Sequence, residues 1–96
     1  MIFNIKTTAQ GCHIAVNIKV NGHAILSLTD NDERSVHLQS GLTYRFEWFV
    51  IAGKDGAKAL IEAFITPNNQ GFLPLEIAKE YNAGDQDGNV FLFTLN

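Results

Sequence analysis

The chain has 96 residues, 46% of them hydrophobic and 18% charged, and a formal net charge of −3. This composition suits one globular domain over 1–96 and excludes a disordered chain. The acidic balance, without any cluster of Lys or Arg, argues against a nucleic-acid partner, and no apolar run approaches the ~20 residues of a membrane span.

Met1-Ile2-Phe3-Asn4-Ile5-Lys6 lacks a basic stretch followed by an apolar one. With Met1 as the native start the chain therefore reads as leaderless or cytoplasmic. Gly, Asn and Asp punctuate the sequence into about eight short strands. The first, about 2–8, ends before Gln10-Gly11. The second, 12–20, sets Cys12, Ile14, Val16, Ile18 and Val20 on one face and His13, Ala15, Asn17 and Lys19 on the other. Cys12 is the only cysteine, so there is no internal disulfide, and within that stripe it reads as a small buried hydrophobe.

Asn21-Gly22 leads to Ala24, Leu26 and Leu28. A plain two-residue loop sets Ala24 and Leu26 opposite Lys19 and Asn17, on the wrong face. A bulged hairpin with Gly22 in a G1 bulge restores agreement with the apolar stripe. Asp30-Asn31-Asp32-Glu33 is a polar break before a short strand whose inward residues are Val36 and Leu38.

The longest strand, about 42–52, places Leu42, Tyr44, Phe46, Trp48 and Val50 on one face. Asp55-Gly56 then predicts a type I′ hairpin with 57–66. Its register puts Ala52 opposite Ala59, Val50 opposite Ile61, Trp48 opposite Ala63 and Phe46 opposite Ile65. Residues 57–65 also fit a helix capped by Asp55, but the hairpin explains the turn as well.

Pro67-Asn68-Asn69-Gln70-Gly71 reads as a loop. Residues 74–83 fit either a helix, on Pro74, Ile77, Ala78 and Tyr81, or a strand, on Leu73, Leu75 and Ile77. Asp85-Gln86-Asp87-Gly88-Asn89 reads as a polar hairpin loop. In 89–95, Phe91, Phe93 and Leu95 alternate with Val90 and Leu92, which predicts a central or covered strand.

Leu38, Ser40, Gly41 and Tyr44, followed by Phe46, Trp48 and Val50 at alternate positions, resemble the tyrosine corner of immunoglobulin-like and fibronectin type III domains. There a Tyr hydroxyl bonds backbone a few residues upstream and closes a Greek-key arch. The resemblance implies an all-β, antiparallel Ig-like β-sandwich of seven or eight strands, with Tyr44 structural. Ser40 stands where fibronectin domains often carry Pro, and two further strands follow 57–66.

Chemistry is sparse. His13, His23 and His37 lack the tight spacing of a metal motif. No nucleophile elbow, dinucleotide fingerprint or phosphate loop occurs, and no cofactor is implied. Asp85 and Asp87 resemble part of a calcium loop but lack its later bidentate Glu.

The hairpin register gathers Phe49, Ile51, Leu60 and Phe64, with Glu47 and Glu62, on the face opposite Trp48. That patch is too apolar to stand bare in a monomer, so the C-terminal segment of the chain, a second subunit or a partner is expected to cover it, and it forms the candidate interface. The expected function is a non-enzymatic recognition or assembly module that binds protein or carbohydrate, with self-association included. The alternative is a small enzyme or metal-dependent site at His13, His23 and His37 or at Asp85 and Asp87.

Overall fold

A computed structural model describes residues 1–69 and 72–95. The strands are β1 (Ile2–Gln10), β2 (Cys12–Val20), β3 (His23–Thr29), β4 (Asp32–His37), β5 (Thr43–Ala52), β6 (Ala57–Thr66), β7 (Leu75–Tyr81) and β8 (Gln86–Thr94). They form two antiparallel four-stranded sheets, ordered β4-β1-β6-β7 and β3-β2-β5-β8. This is an all-β sandwich of eight strands. Gln70 and Gly71 of the expected loop lie outside the described residues.

The layers are those of an Ig-like sandwich, but the strand order is not the seven-strand order of that fold. Four connections at one end, β1–β2, β3–β4, β5–β6 and β7–β8, each cross from one sheet to the other. Backbone hydrogen bonds tie neighbouring crossings together: Gly53 N–H donates to the Gly11 carbonyl at 2.9 Å, and Gly84 N–H to the Ala52 carbonyl at 2.9 Å.

The Asp55-Gly56 hairpin is therefore corrected. Strand β5 pairs with β2 and β8, and β6 pairs with β1 and β7, so neither has a free edge for the other. Only Gly56 has a positive φ, at 74°, whereas a type I′ turn needs two such residues. Asp55 instead accepts the Ala83 N–H on Oδ1 at 2.8 Å, fastening this crossing to the next.

The stripes Phe46/Trp48/Val50/Ala52 and Ala59/Ile61/Ala63/Ile65 are both buried, as expected, but they belong to different sheets and share one core. Gly56→Val should still cost about 1–2 kcal/mol, because a β-branched residue resists the left-handed region. Urea unfolding measures this, and an unchanged midpoint would contradict the backbone conformation.

Turn Asn21-Gly22 has two residues, with φ of 52° and 77° as type I′ requires. The extra residue is Ile25, bulged where pairing passes from Lys19↔Ala24 to Ile18↔Leu26. Leu26 thus joins the Ile18 face, although the bulge lies within the strand rather than in the turn. Strand β4 begins at Asp32, inside the expected polar break, and Leu38 follows its end but is buried.

The helical alternatives give way to β6 and β7, whose inward residues alternate and whose backbones pair in register. In β7 these are Leu75 and Ile77, while Leu73 is exposed. Tyr44 behaves as a tyrosine corner: it is buried, and its hydroxyl accepts the Gln39 N–H at 2.8 Å, where the chain crosses from β4 to β5.

Aromatic rings fill the core. Phe3 of β1 meets Phe46, Phe72 and Phe93 at centroid distances of 6.3, 5.4 and 5.9 Å. Phe46 stacks on Phe91 at 4.9 Å.

Candidate recognition surfaces

The outer face of β3-β2-β5-β8 follows from strand alternation. Phe49 and Ile51 of β5 point away from the core, beside Ala15 and His13 of β2. On the other side, β8 sets Gly88 opposite Phe49, Val90 opposite Glu47 and Leu92 opposite Arg45. Four large apolar side chains are open here: Phe49 at 43%, Ile51 at 42%, Val90 at 44% and Leu92 at 66% exposure. Ala15, Asn17, Glu47, Phe49, Gly88 and Val90 line a shallow trough across them.

Charge borders this apolar surface. Glu47 is gripped by Lys19 at 3.1 Å and Arg45 at 2.9 Å, and the Lys19 hydrogen bond foremost holds its carboxyl below the usual glutamate value.

The other outer face, on β4-β1-β6-β7, carries Leu60 and Phe64. Phe64 is 48% exposed, opposite Asn4 in the ladder. Asn4 donates to Thr66 Oγ1 at 3.3 Å and accepts from Ser35 Oγ at 2.9 Å. Phe49, Ile51, Leu60 and Phe64 thus do not form one face. The first two and the last two lie on opposite sides of the sandwich, because β5 and β6 belong to different sheets.

Val90 and Leu92 take the places beside Phe49 that Leu60 and Phe64 were expected to fill. Their signal was the two-faced apolar pattern of 89–95, read as a covered strand. Strand β8 is instead an edge strand whose outer side chains are open.

Between the edge strands β7 and β8, a polar seam closes the core over Trp48. Asp87 Oδ2 accepts from Lys79 Nζ at 3.0 Å and from the Tyr81 hydroxyl at 2.8 Å, and Lys79 Nζ stands 5.5 Å from the Trp48 ring centroid. The Lys79 hydrogen bond first, then that of Tyr81, holds the Asp87 carboxyl below the ordinary aspartate value. Burial foremost, then Asp87, pushes the Tyr81 hydroxyl up.

A depressed carboxyl stabilises the fold above its unfolded-chain pKa of about 3.9, and that contribution is lost as pH falls through the lower folded value. Acid unfolding of the wild type should therefore show a component below about pH 4 that Asp87→Asn lacks. Identical acid profiles would contradict the pairing.

The expected polar loop 85–89 is also corrected: β8 starts at Gln86, so Asp87, Gly88 and Asn89 are strand residues. Asp85 Oδ2 accepts the Asn82 N–H at 2.8 Å. With Asp87 already bonded to Lys79, Tyr81 and the Gly88 N–H, added calcium should leave the melting temperature unchanged. An Asp87-dependent rise would overturn this.

The three histidines are apart. His13 lies beside Asp30 at 3.2 Å on one outer face, His37 is on the opposite sheet, and His23 opens β3 at the far end of β2. Among the described residues, no three His, Cys, Asp or Glu side chains are grouped to hold a metal ion. Nor, among those residues, is any helix long and apolar enough to cross a membrane. Comparison with protein-family models, curated proteins and solved structures finds no match for this chain.

Proposed function

We propose that this domain is a non-enzymatic recognition module that binds a protein surface through the outer face of β3-β2-β5-β8. The observation that supports this reading is that Phe49 and Ile51 of β5 and Val90 and Leu92 of β8 are all substantially exposed on the outer face of one sheet. The Lys19–Glu47–Arg45 charges interleave with these side chains, Glu47 opposite Val90 and Arg45 opposite Leu92, which gives the mixed apolar and charged surface of a recognition patch.

A second reading, carbohydrate binding, draws on the opposite face. There Phe64 offers a ring for stacking beside the hydrogen-bonding groups of Asn4, Ser35 and Thr66.

Capture of soluble proteins and glycan-array binding, each with wild type, Phe49→Glu and Phe64→Lys, separates the readings. Protein capture lost in Phe49→Glu and kept in Phe64→Lys is the expected result. Capture equal in all three overturns it, and a glycan signal lost only in Phe64→Lys establishes the second reading in its place.

A further inference from the structure

Each sheet ends in two edge strands, and the four edges differ. Strand β4 carries Asp32, Glu33 and Arg34, and β7 carries Glu76, Lys79 and Glu80. Strand β3 is interrupted by its bulge at Ile25. Charges and bulges are the devices by which natural edges avoid pairing with another chain. Strand β8 has nine residues, pairs with β5 without a shift of register, and has a single charge, Asp87, whose carboxylate is turned to Lys79 and Tyr81.

The edge of β8 is protected over half its length. Gly88 N–H donates to Asp87 Oδ1 and Val90 N–H to Asn89 Oδ1, both at 2.8 Å, so each amide is capped by the side chain before it. These amides point away from β5, and by the strand's two-residue period so do those of Leu92 and Thr94. The residues before that second pair are Phe91 and Phe93, whose rings pack against the core and offer no acceptor.

We propose that the β8 edge pairs with the β8 edge of a second copy of this chain, antiparallel about a two-fold axis at Phe93. This deepens the recognition reading by naming a partner. With the axis there, Leu92 of each copy stands beside Thr94 of the other, and their four N–H and four C=O groups satisfy one another in four hydrogen bonds. The capped amides of Gly88 and Val90 keep their own partners.

A second copy suits this edge because the open stretch is uncharged and self-complementary. Each Asp87 is six residues from the axis, roughly 20 Å along the strand, so like charges do not meet across it. The pairing joins two four-stranded sheets into one and makes the exposed apolar faces continuous. Edge pairing alone buries less than a standard interface, so the dimer should dissociate on dilution.

Sedimentation equilibrium over a concentration range tests the proposal on wild type, Thr94→Pro and Phe49→Glu, with circular dichroism confirming folding. Proline removes the outward N–H of Thr94, and with it the hydroxyl contact to Thr43, while leaving Phe49, Ile51, Val90 and Leu92 in place, and edge strands tolerate it. Thr94→Lys, a charge on the edge close to its own two-fold copy, serves if Thr94→Pro does not fold. The expected result is a wild type that rises from chain mass to twice that value while Thr94→Pro stays at chain mass. A dimer that survives Thr94→Pro and dissolves in Phe49→Glu overturns edge pairing and leaves the face reading standing. A wild type at chain mass throughout overturns the second copy as partner, and the capture experiment then judges the face by itself.

Discussion

Phe3→Ala is expected to lower stability by about 3–5 kcal/mol, the range for a large aromatic removed from a closed core. Phe3 is fully buried and is the β1 ring that meets Phe46 and Phe93 across the sandwich and Phe72 from the β6–β7 connection. Its removal takes contacts from both sheets, and the surrounding rings cannot all move into one void. Domains of this size carry only about 5–15 kcal/mol in all, so the variant should unfold near physiological temperature. Phe64→Ala, on an outer face, should change stability by no more than about 0.5–1 kcal/mol. Urea unfolding of the pair is the measurement. Equal losses would contradict the placement of the core.

The second large effect belongs to Gly88→Ala. A Cβ at this position comes within 2.6 Å of the Trp48 carbonyl oxygen and 3.3 Å of Phe49 Cδ2. The oxygen is part of the β5 backbone and cannot rotate aside as a side chain could, so the β5–β8 ladder must shift. A cost of about 1–3 kcal/mol is expected, in the range of overpacked sites. The absent side chain at Gly88 is also what lets the Phe49 ring lie against the strand. Gly22→Ala makes a contrast, because a Cβ at Gly22 meets nothing within 4 Å and its cost arises from its φ of 77° alone. Chemical denaturation with a tryptophan fluorescence readout at Trp48 reports both variants. A Gly88→Ala protein as stable as wild type would contradict the close approach of β8 to β5.

What the sequence made legible was local. The alternation in 12–20 and 42–52 assigns each side chain to a face with no knowledge of the neighbouring strand, and those faces turn to the core, except that Leu42 precedes β5 and is exposed. Tyr44 and its upstream partner are five residues apart, and that corner too was readable. Strand partners were not. Two apolar stripes that fit side by side in a hairpin fit equally well face to face across a core, and the Asp-Gly pair favoured the first arrangement. The decision rests on occupied edges: Cys12 to Lys19 on one side of β5 and Gln86 to Thr94 on the other leave no ladder for β6.

The same non-local choice separated Phe49 from Phe64 and set Val90 and Leu92 beside Phe49. The two-faced pattern of 89–95 marked the apolar outer face but predicted a central strand or one under cover, whereas β8 is an edge strand whose outer side chains are open. The pattern carried no information on whether this chain supplies that cover. The grouping of Lys79, Tyr81 and Asp87 was not legible, because they come together only when two edge strands close over Trp48.

Residue-resolved amide hydrogen exchange, measured as protein concentration is raised, tests most directly the pairing of the β8 edge with a second copy of this chain. Protection is expected to grow at Leu92 and Thr94, the uncapped edge amides, while Leu60 and Phe64 on the opposite sheet stay unchanged. Protection that is independent of concentration at Leu92 and Thr94, or that grows instead on the Phe64 side, would contradict it.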